Sequence, residues 1–210
     1  MKNTIIFDFD GTIADSYQLG IELYNYAAKI TGAPLLSAQQ AKELKKFSAR
    51  KIVKEYVSGW RLPLIALLME MKMMKIVDKL KPFEGIKEML KELKDQDYEL
   101  YILSSNRAKL IQKFLDLNNF NFFTQVISSK GIFSKAGSLK KLISRKNLEL
   151  HKIIYVGDEL RDVEACNEVN LKIISVSWGL NDKEVLEKAN PNFVVDTSKQ
   201  LLTKIQDNLN

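Results

Sequence analysis

Short apolar runs alternate with longer amphipathic segments along most of the chain. Six of the runs are three or four residues long and rich in β-branched and aromatic side chains, which is typical of strands. They are residues 4–7, 100–103, 125–127, 153–156, 173–176 and 193–195. Between most of them, apolar residues recur with a helical period. Apolar strands that alternate with helices indicate a parallel sheet covered on both faces, so we predict an α/β, Rossmann-like core.

One long stretch breaks this alternation. From about Asp15 to Lys81 no strand-like run occurs, and four helical patterns follow one another over residues 17–30, 38–47, 49–57 and 62–80. Pro82 is a natural point for the chain to return to the sheet. We therefore predict a small all-helical cap domain at residues 15–81, inserted after the first strand. The core would then comprise residues 1–14 and 82–210.

The first strand ends in an acidic pair. Because side chains alternate along a strand, Asp8 and Asp10 would lie on the same side. Two carboxylates at the end of a buried strand repel each other and are costly to desolvate, so a cation should compensate them. Gly11 would let the backbone approach a ligand, and the Thr12 hydroxyl can hold a carboxylate or an amide. A polar turn explains the pair about equally well when it is considered alone.

Polar groups also lie near the ends of other predicted strands. Residues 104–106 (Ser-Ser-Asn) end the second strand and offer hydroxyls and helix N-terminal amides to an anion. Lys135 opens a helix, where its charge opposes the helix dipole and requires an anionic partner. Asp158 and Asp162 follow the fourth strand, four residues apart and so on one face. Each group also has an ordinary explanation: a helix cap for residues 104–106, a surface position for Lys135, and an N-cap with a solvated acid for Asp158 and Asp162. Parallel strands nevertheless bring all these groups to one sheet edge.

The composition narrows the chemistry at that edge. With 46% apolar and 28% charged residues, the chain resembles an average globular protein. It holds one cysteine, Cys166, and one histidine, His151. An intrachain disulfide and a metal centre built from Cys or His clusters are therefore excluded, and a His-dependent triad is improbable. Carboxylates without such ligands suit Mg²⁺, which prefers oxygen and shares itself with substrate phosphate. We therefore predict Mg²⁺ as the cofactor.

The net charge of +6 suits anionic partners. The basic residues are spread along helical patterns and interleaved with acids, so solvent-exposed helix faces explain them better than a nucleic-acid-binding surface does. We therefore expect no nucleic-acid partner. No apolar run is long enough to span a bilayer, and the first residues do not resemble a signal peptide. We expect a cytoplasmic protein without a membrane partner, either a monomer or a homodimer.

Four motifs occur in order: DFDGT from residue 8, Ser104, Lys135, and Gly157-Asp158 with Asp162. In this arrangement the chain resembles the haloacid dehalogenase superfamily of phosphotransferases. The resemblance covers nearly the whole chain, because the helical insertion lies where the C1 cap of that family lies. Residues 153–178 are most similar to its phosphoglycolate phosphatase group.

The resemblance implies a role for each motif residue. Asp8 would be the nucleophile that takes the phosphoryl group as an aspartyl phosphate. Asp10 would protonate the leaving oxygen and then activate the hydrolytic water. Ser104 and Lys135 would hold the phosphoryl oxygens and neutralise their charge.

The same resemblance implies the metal site and the rest of the substrate site. Mg²⁺ would be bound by Asp8, the backbone carbonyl of Asp10 and Asp158, with Asp162 supporting these ligands. The remaining substrate-binding residues would be Gly11, Thr12, Ser105 and Asn106.

Two departures from the family pattern leave alternatives open. Many relatives end the second strand in Thr-Asn, whereas this chain has Ser-Ser-Asn, so Ser105 is a rival to Ser104 for the phosphate. Many relatives also have Gly before the motif lysine, where this chain has Ser134, so Lys130 is a weaker rival to Lys135.

The leading functional hypothesis is a Mg²⁺-dependent phosphatase of a small phosphorylated metabolite, such as a phosphoglycolate-like ester, a sugar phosphate or a nucleotide. A phosphomutase of the β-phosphoglucomutase kind is the alternative, because fold and motifs do not determine the acceptor. A regulatory binding protein without catalytic activity is a third hypothesis, against which Asp8 and Asp10 argue. The cap would set the specificity by closing over the phosphate.

Overall fold

The centre of the molecule is a parallel β-sheet. The computed structural model describes residues 2–56, 59–129 and 135–209. In that part of the chain six strands form one sheet in the order β3-β2-β1-β4-β5-β6. Their bounds are β1 Thr4–Phe7, β2 Glu99–Ser104, β3 Gln125–Ser128, β4 Ile153–Gly157, β5 Lys172–Val176 and β6 Phe193–Val195. All six strands predicted from the apolar runs are confirmed, with shifts of one residue at some ends.

Both faces of the sheet are covered, as the continuous apolar strands predict. Along β1, Ile5 and Phe7 pack into one buried cluster and Ile6 packs into another on the opposite face. The first cluster is closed by helices α5 Ile86–Asp95, α6 Ala108–Asn118 and α10 Ser198–Leu209. The second is closed by α7 Lys135–Lys146 and α8 Leu160–Glu168. A short helix, α9 Lys183–Lys188, precedes β6. The predicted Rossmann-like α/β fold is confirmed.

The strand order places a crevice at the centre of one sheet edge. From β1 the chain proceeds to β2 and β3 on one side, and it then crosses back to add β4 on the other side of β1. The connections leaving β1 and β4 therefore diverge, which is where open α/β sheets bind ligands. β1 and β4 end directly before Asp8 and Asp158, two residues of the predicted site.

The segment after β1 is helical, as predicted. It contains α1 Tyr17–Thr31, α2 Ala38–Leu44, α3 Ala49–Tyr56 and α4 Leu62–Ile76, and a 3₁₀ turn at Val77–Lys79 follows. Helix α1 ends at Gly32, whose φ of 67° is left-handed, and α2 begins with a capping box between Ser37 and Gln40. Helix α2 stops three residues earlier than predicted, and residue 57 of the third predicted helix lies outside the described residues.

These helices have an apolar cluster of their own. Tyr24, Ala27, Leu44 and Ile65 are buried together in it. The chain leaves and re-enters the core at one place, because the Asp15 amide donates to the Lys81 carbonyl over 2.8 Å. This arrangement favours a separate cap, and the boundaries 15–81 stay a prediction. In the part of the chain that the structure describes, no helix combines the length and apolar character needed to cross a membrane.

Candidate active site

The end of β1 leads into a tight turn that brings backbone and carboxylates together. The Asp8 amide donates to the Val156 carbonyl over 2.8 Å, so the sheet pairing extends to the first acidic residue. Gly11 has a φ of 70°, and a Cβ placed there would come within 2.0 Å of Asp158 Oδ2. Glycine is required at this position both for its backbone conformation and for this close approach.

Lys135 joins the first and fourth motifs. Its Nζ lies 2.6 Å from Asp8 Oδ2 and also donates to Asp162 Oδ1, and all three side chains are at most 3% exposed. Burial acts to lower the pKa of Lys135, but the Asp162 and Asp8 carboxylates outweigh it and raise the pKa. The anionic partner expected for a lysine at a helix N-terminus is thus two buried carboxylates. Lys130 and Ser134 lie outside the described residues.

Three of the predicted metal residues converge. Asp8, Asp158 and Asp162 each offer an oxygen within 4.8 Å of the others, and all three residues are buried. Asp158 accepts from the Thr12 hydroxyl at 2.9 Å and from the Leu180 amide at 2.7 Å. The Glu159 amide donates to Asp162 Oδ2 over 3.1 Å. The carboxylates are held by neighbours from several loops, and the cluster can bind a metal ion.

Asp10 and the end of β2 form the other side of the site. Asn106 Nδ2 donates to Asp10 Oδ2 over 2.6 Å, and the Asn106 amide donates to Ser104 Oγ over 3.1 Å. Burial, followed by the nearby charge of Asp8, raises the pKa of Asp10 to about 6. Ser104 is buried, whereas Ser105 and Asn106 are partly exposed and line the adjoining cavity. The structure therefore brings every described residue of the predicted site to one sheet edge.

The cluster carries an excess of negative charge. Among the residues that the structure describes, two cations, Lys135 and Arg161, face five carboxylates. These carboxylates belong to Asp8, Asp10, Asp158, Glu159 and Asp162. Burial of so many acids is costly without further positive charge. An all-oxygen donor set with this deficit of positive charge fits Mg²⁺.

The pKa values of the buried acids reflect this crowding. Burial raises the pKa of Asp8, although Lys135 opposes the shift. Burial and the neighbouring Glu159 raise the pKa of Asp158 well above its usual range. Burial also raises the pKa of Glu159 against the opposing effect of Arg161, whose Nη2 lies 2.7 Å from the Glu159 carboxylate. An additional positive charge at this edge would therefore stabilise the ionised forms of these carboxyl groups.

Asn181 is a structural residue of the site that sequence reasoning missed. Its Nδ2 donates to the carbonyls of Lys45 (2.9 Å) and Phe47 (3.0 Å), just after α2. Its Oδ1 accepts from the Leu160 amide at 2.9 Å, and its own amide donates to the Asp158 carbonyl over 3.2 Å. It thereby ties the helical segment to the loop of the metal cluster. The contacts with Lys45 and Phe47 span more than 130 residues, and nothing in the local pattern around Asn181 indicates them.

A cavity of about 510 Å³ lies between this cluster and helices α1–α4. Asp10, Gly11 and Asp158 line one end, and apolar side chains of the helices line the other. At its rim Arg107 Nε lies 2.5 Å from Glu70 Oε1, so an ion pair links α4 to the loop after β2. The volume is within the range typical of small-molecule sites.

Comparison with known proteins agrees with this geometry. The model of the haloacid dehalogenase-like hydrolase family matches residues 5–176, a span that contains every predicted site residue. The chain belongs to the haloacid dehalogenase-like hydrolase family. It is therefore an enzyme of the hydrolase type, and the third hypothesis, a binding protein without catalytic activity, is set aside.

The relatives of this hydrolase include phosphatases. It is 32% identical to the phosphoglycolate phosphatase of Synechococcus elongatus over 203 residues, which cover 96% of each chain. It is 23% identical to the pyrophosphatase PpaX of Listeria monocytogenes, over 97% of this chain and 96% of that protein. A predicted phosphatase from Clostridium acetobutylicum shares its fold, with a TM-score of 0.85, 21% identity and 99% of each chain covered. The family and the Synechococcus relative support phosphoric monoester hydrolysis as the enzyme class.

Proposed function

We propose that the chain is a Mg²⁺-dependent phosphatase of small phosphomonoesters that works through an aspartyl phosphate on Asp8. The observation that carries the proposal is the buried arrangement of Asp8, Lys135 and Asp158 at the crevice between β1 and β4. Burial removes water that would compete for the phosphate, and it leaves an anionic nucleophile beside a cation. A structural ion pair alone would not require three further carboxylates at the same edge.

Asp8 is suited to attack a phosphoryl group. Its Oδ1 accepts from the Phe9 amide at 2.7 Å and its Oδ2 from Lys135 at 2.6 Å, so its orientation is fixed before a substrate binds. In the proposed first step, a bond forms between a carboxylate oxygen of Asp8 and phosphorus, while the bond from phosphorus to the alcohol oxygen breaks. Lys135 would then also neutralise charge on the phosphoryl oxygens, with Ser104 as a hydroxyl donor.

Asp10 is placed to move the protons of both steps. Its carboxyl is oriented by Asn106, and it lines the cavity through which the alcohol would leave. We propose that it donates a proton to the departing alcohol and later accepts one from the water that cleaves the aspartyl phosphate. The second step releases inorganic phosphate and regenerates the Asp8 carboxylate.

The donor set indicates how Mg²⁺ would be held. Asp8, the Asp10 backbone carbonyl and Asp158 would hold the ion, while Asp162 orients Lys135 and the Glu159 amide. When bound, Mg²⁺ supplies positive charge that lets an anionic nucleophile approach an anionic phosphate. Within the described ranges, five acids face two cations, and this excess of negative charge supports such an ion.

The test is inorganic phosphate release from phosphoglycolate, sugar phosphates, nucleotides and alkyl phosphates, each with Mg²⁺ and with a chelator. Asp8→Asn should lose at least about a thousandfold in kcat, because an amide is a poor nucleophile toward phosphorus. Asp15→Asn is the matched control, since Asp15 is exposed on the same connection and outside the cluster. Phosphate release by Asp8→Asn at the wild-type rate would refute the proposal. Isomerisation of a sugar phosphate without phosphate release would favour the mutase.

A further inference from the structure

The cavity next to Asp10 extends from the sheet edge to the helical segment. One end is formed by Asp10, Asn106 and Asp158, which are residues of the proposed phosphoryl site. The other end lies among helices α1, α3 and α4, within the apolar cluster of those helices. A phosphate held at Asp8 would therefore have its alcohol portion directed toward these helices.

The wall at that end is apolar. Its side chains are aliphatic, aromatic or thioether groups, and they come from four different helices: Tyr24, Leu44, Ile52, Ile65, Met69 and Met73. Several of them belong to the cluster that holds the helices together, yet they leave an open space of about 510 Å³ that extends to Asp10 and Asp158. A space of this size is within the range typical of small-molecule sites.

The charges along the described lining do not favour a second anionic group on the substrate. The acids Asp10, Asp158 and Glu159 all border the cavity. Among the described lining residues the cation is Arg107, and its guanidinium already lies 2.5 Å from Glu70 with 70% of the side chain exposed. A carboxylate on the alcohol portion would have to lie against apolar side chains or at the rim, which is costly.

We propose that the preferred substrate is a phosphomonoester of an apolar alcohol, with an alkyl or aryl group lying against α1, α3 and α4. This inference rests on the proposed phosphoryl transfer to Asp8. It differs from the substrate in the name of the Synechococcus relative, because a glycolate carboxylate finds no buried cation in the described lining. The apolar wall would provide binding energy through burial of hydrocarbon.

The first test is a chain-length series. Phosphate release is measured for methyl, propyl, butyl and hexyl phosphate, for benzyl phosphate and for phosphoglycolate, all with Mg²⁺. We expect kcat/KM to rise about fourfold for each methylene that becomes buried. Hexyl phosphate should exceed phosphoglycolate by at least about tenfold. Equal rates along the series, or a preference for phosphoglycolate, would overturn the inference while leaving the phosphatase proposal intact.

Two variants on α4 test whether the preference for long alkyl phosphates arises at the cavity wall. Met69→Lys places a charge in the cavity wall, whereas Met71→Lys places the same charge on the same helix at a residue 54% exposed and outside the lining. We expect Met69→Lys to lower kcat/KM for hexyl phosphate by about tenfold or more, and Met71→Lys to change it by less than about twofold. Met69→Gln, which is neutral and similar in length, replaces Met69→Lys should the lysine variant fail to fold. Equal effects at positions 69 and 71 would contradict the proposed wall.

A binding measurement separates the two proposals. Methylphosphonate and hexylphosphonate, which cannot be hydrolysed at their carbon–phosphorus bond, are titrated calorimetrically with and without Mg²⁺. We expect hexylphosphonate to bind more tightly, with a more negative heat-capacity change that reports apolar burial. Such binding without phosphate release from any ester would support the cavity and overturn the phosphatase proposal. Equal affinities and heat-capacity changes would overturn the cavity proposal. In that case Arg107→Met tests whether the rim guanidinium binds phosphoglycolate.

Discussion

At one end of the cavity, every carboxylate oxygen of Asp8, Asp158 and Asp162 accepts at least one hydrogen bond from a named donor. At the other end, side chains on separate helices pack mainly through apolar contacts and leave space between them, although the Tyr24 hydroxyl also donates to the Pro34 carbonyl over 2.9 Å. Directed networks are intolerant of change, whereas apolar walls accept other side chains of similar size. The comparison indicates that the chemistry belongs to the sheet edge and that the choice of substrate belongs to the helices.

The largest effect should come from removing the positive charge at the charged end. Lys135→Met leaves Asp8 and Asp162 buried beside each other without their cation. Removal of one partner of a buried ion pair costs about 3–5 kcal/mol, so the free energy of unfolding in chelator should fall by that amount. It is measured by urea denaturation at pH 7, and added Mg²⁺ should restore part of the loss.

Lys140→Met is the matched control for that experiment. Lys140 lies on the same helix and pairs with Glu168, but both side chains are more than half exposed. Exposed pairs of this kind contribute about 0–1 kcal/mol. Equal losses from Lys135→Met and Lys140→Met would show that the buried cluster does not depend on its lysine.

A comparison of two glycines tests how far each end tolerates added volume. Gly11→Ala should cost about 3 kcal/mol, of which about 2 comes from the left-handed backbone and about 1 from the displaced hydrogen bond between the Leu180 amide and Asp158 Oδ2. Gly20→Ala, within α1, should instead stabilise the protein by about 0.5–1 kcal/mol, because glycine inside a helix is less stable than alanine by that amount. The added Cβ meets nothing within 4 Å, so no clash opposes this gain. The change in the free energy of unfolding of each variant is measured from its denaturation midpoint. A destabilising Gly20→Ala would indicate that the helical end is as tightly specified as the sheet edge.

The difference between the two ends of the cavity also explains which features of the fold and the site could be predicted from the sequence. The strands and the carboxylate cluster follow from local patterns, since an apolar run that ends in Asp8 and another that ends in Asp158 must meet at one edge of a parallel sheet. The helix dipole indicated an anionic partner for Lys135, but a surface position explained that lysine as well, and the resemblance to the haloacid dehalogenase superfamily assigned it to the site. The sheet edge itself needs only the order of residues and the rule that parallel strands share an edge.

The remaining features depend on distant contacts. Asn181 binds the Lys45 and Phe47 carbonyls, and α2 ends at Leu44, three residues short of the periodic pattern that predicted it. The open space among α1–α4 depends on how these helices pack. Periodicity indicates which face of a helix is buried, but it does not show whether the buried face is completely filled.

The smallest effect is expected at the rim, where the charged loop after β2 meets the helices. Glu70→Gln removes one charge of the pair with Arg107, whose side chain is 70% exposed while that of Glu70 is 26% exposed. The free energy of unfolding should change by less than about 1 kcal/mol. The difference from wild type should shrink as salt rises to 1 M, where the Debye length falls to about 3 Å. Lys91→Met, which breaks an exposed pair with Asp95, is the control for general salt effects. A loss above about 2 kcal/mol that persists in 1 M salt would mean that the rim pair holds α4 against the core, as the hydrogen bonds of Asn181 hold the residues just after α2.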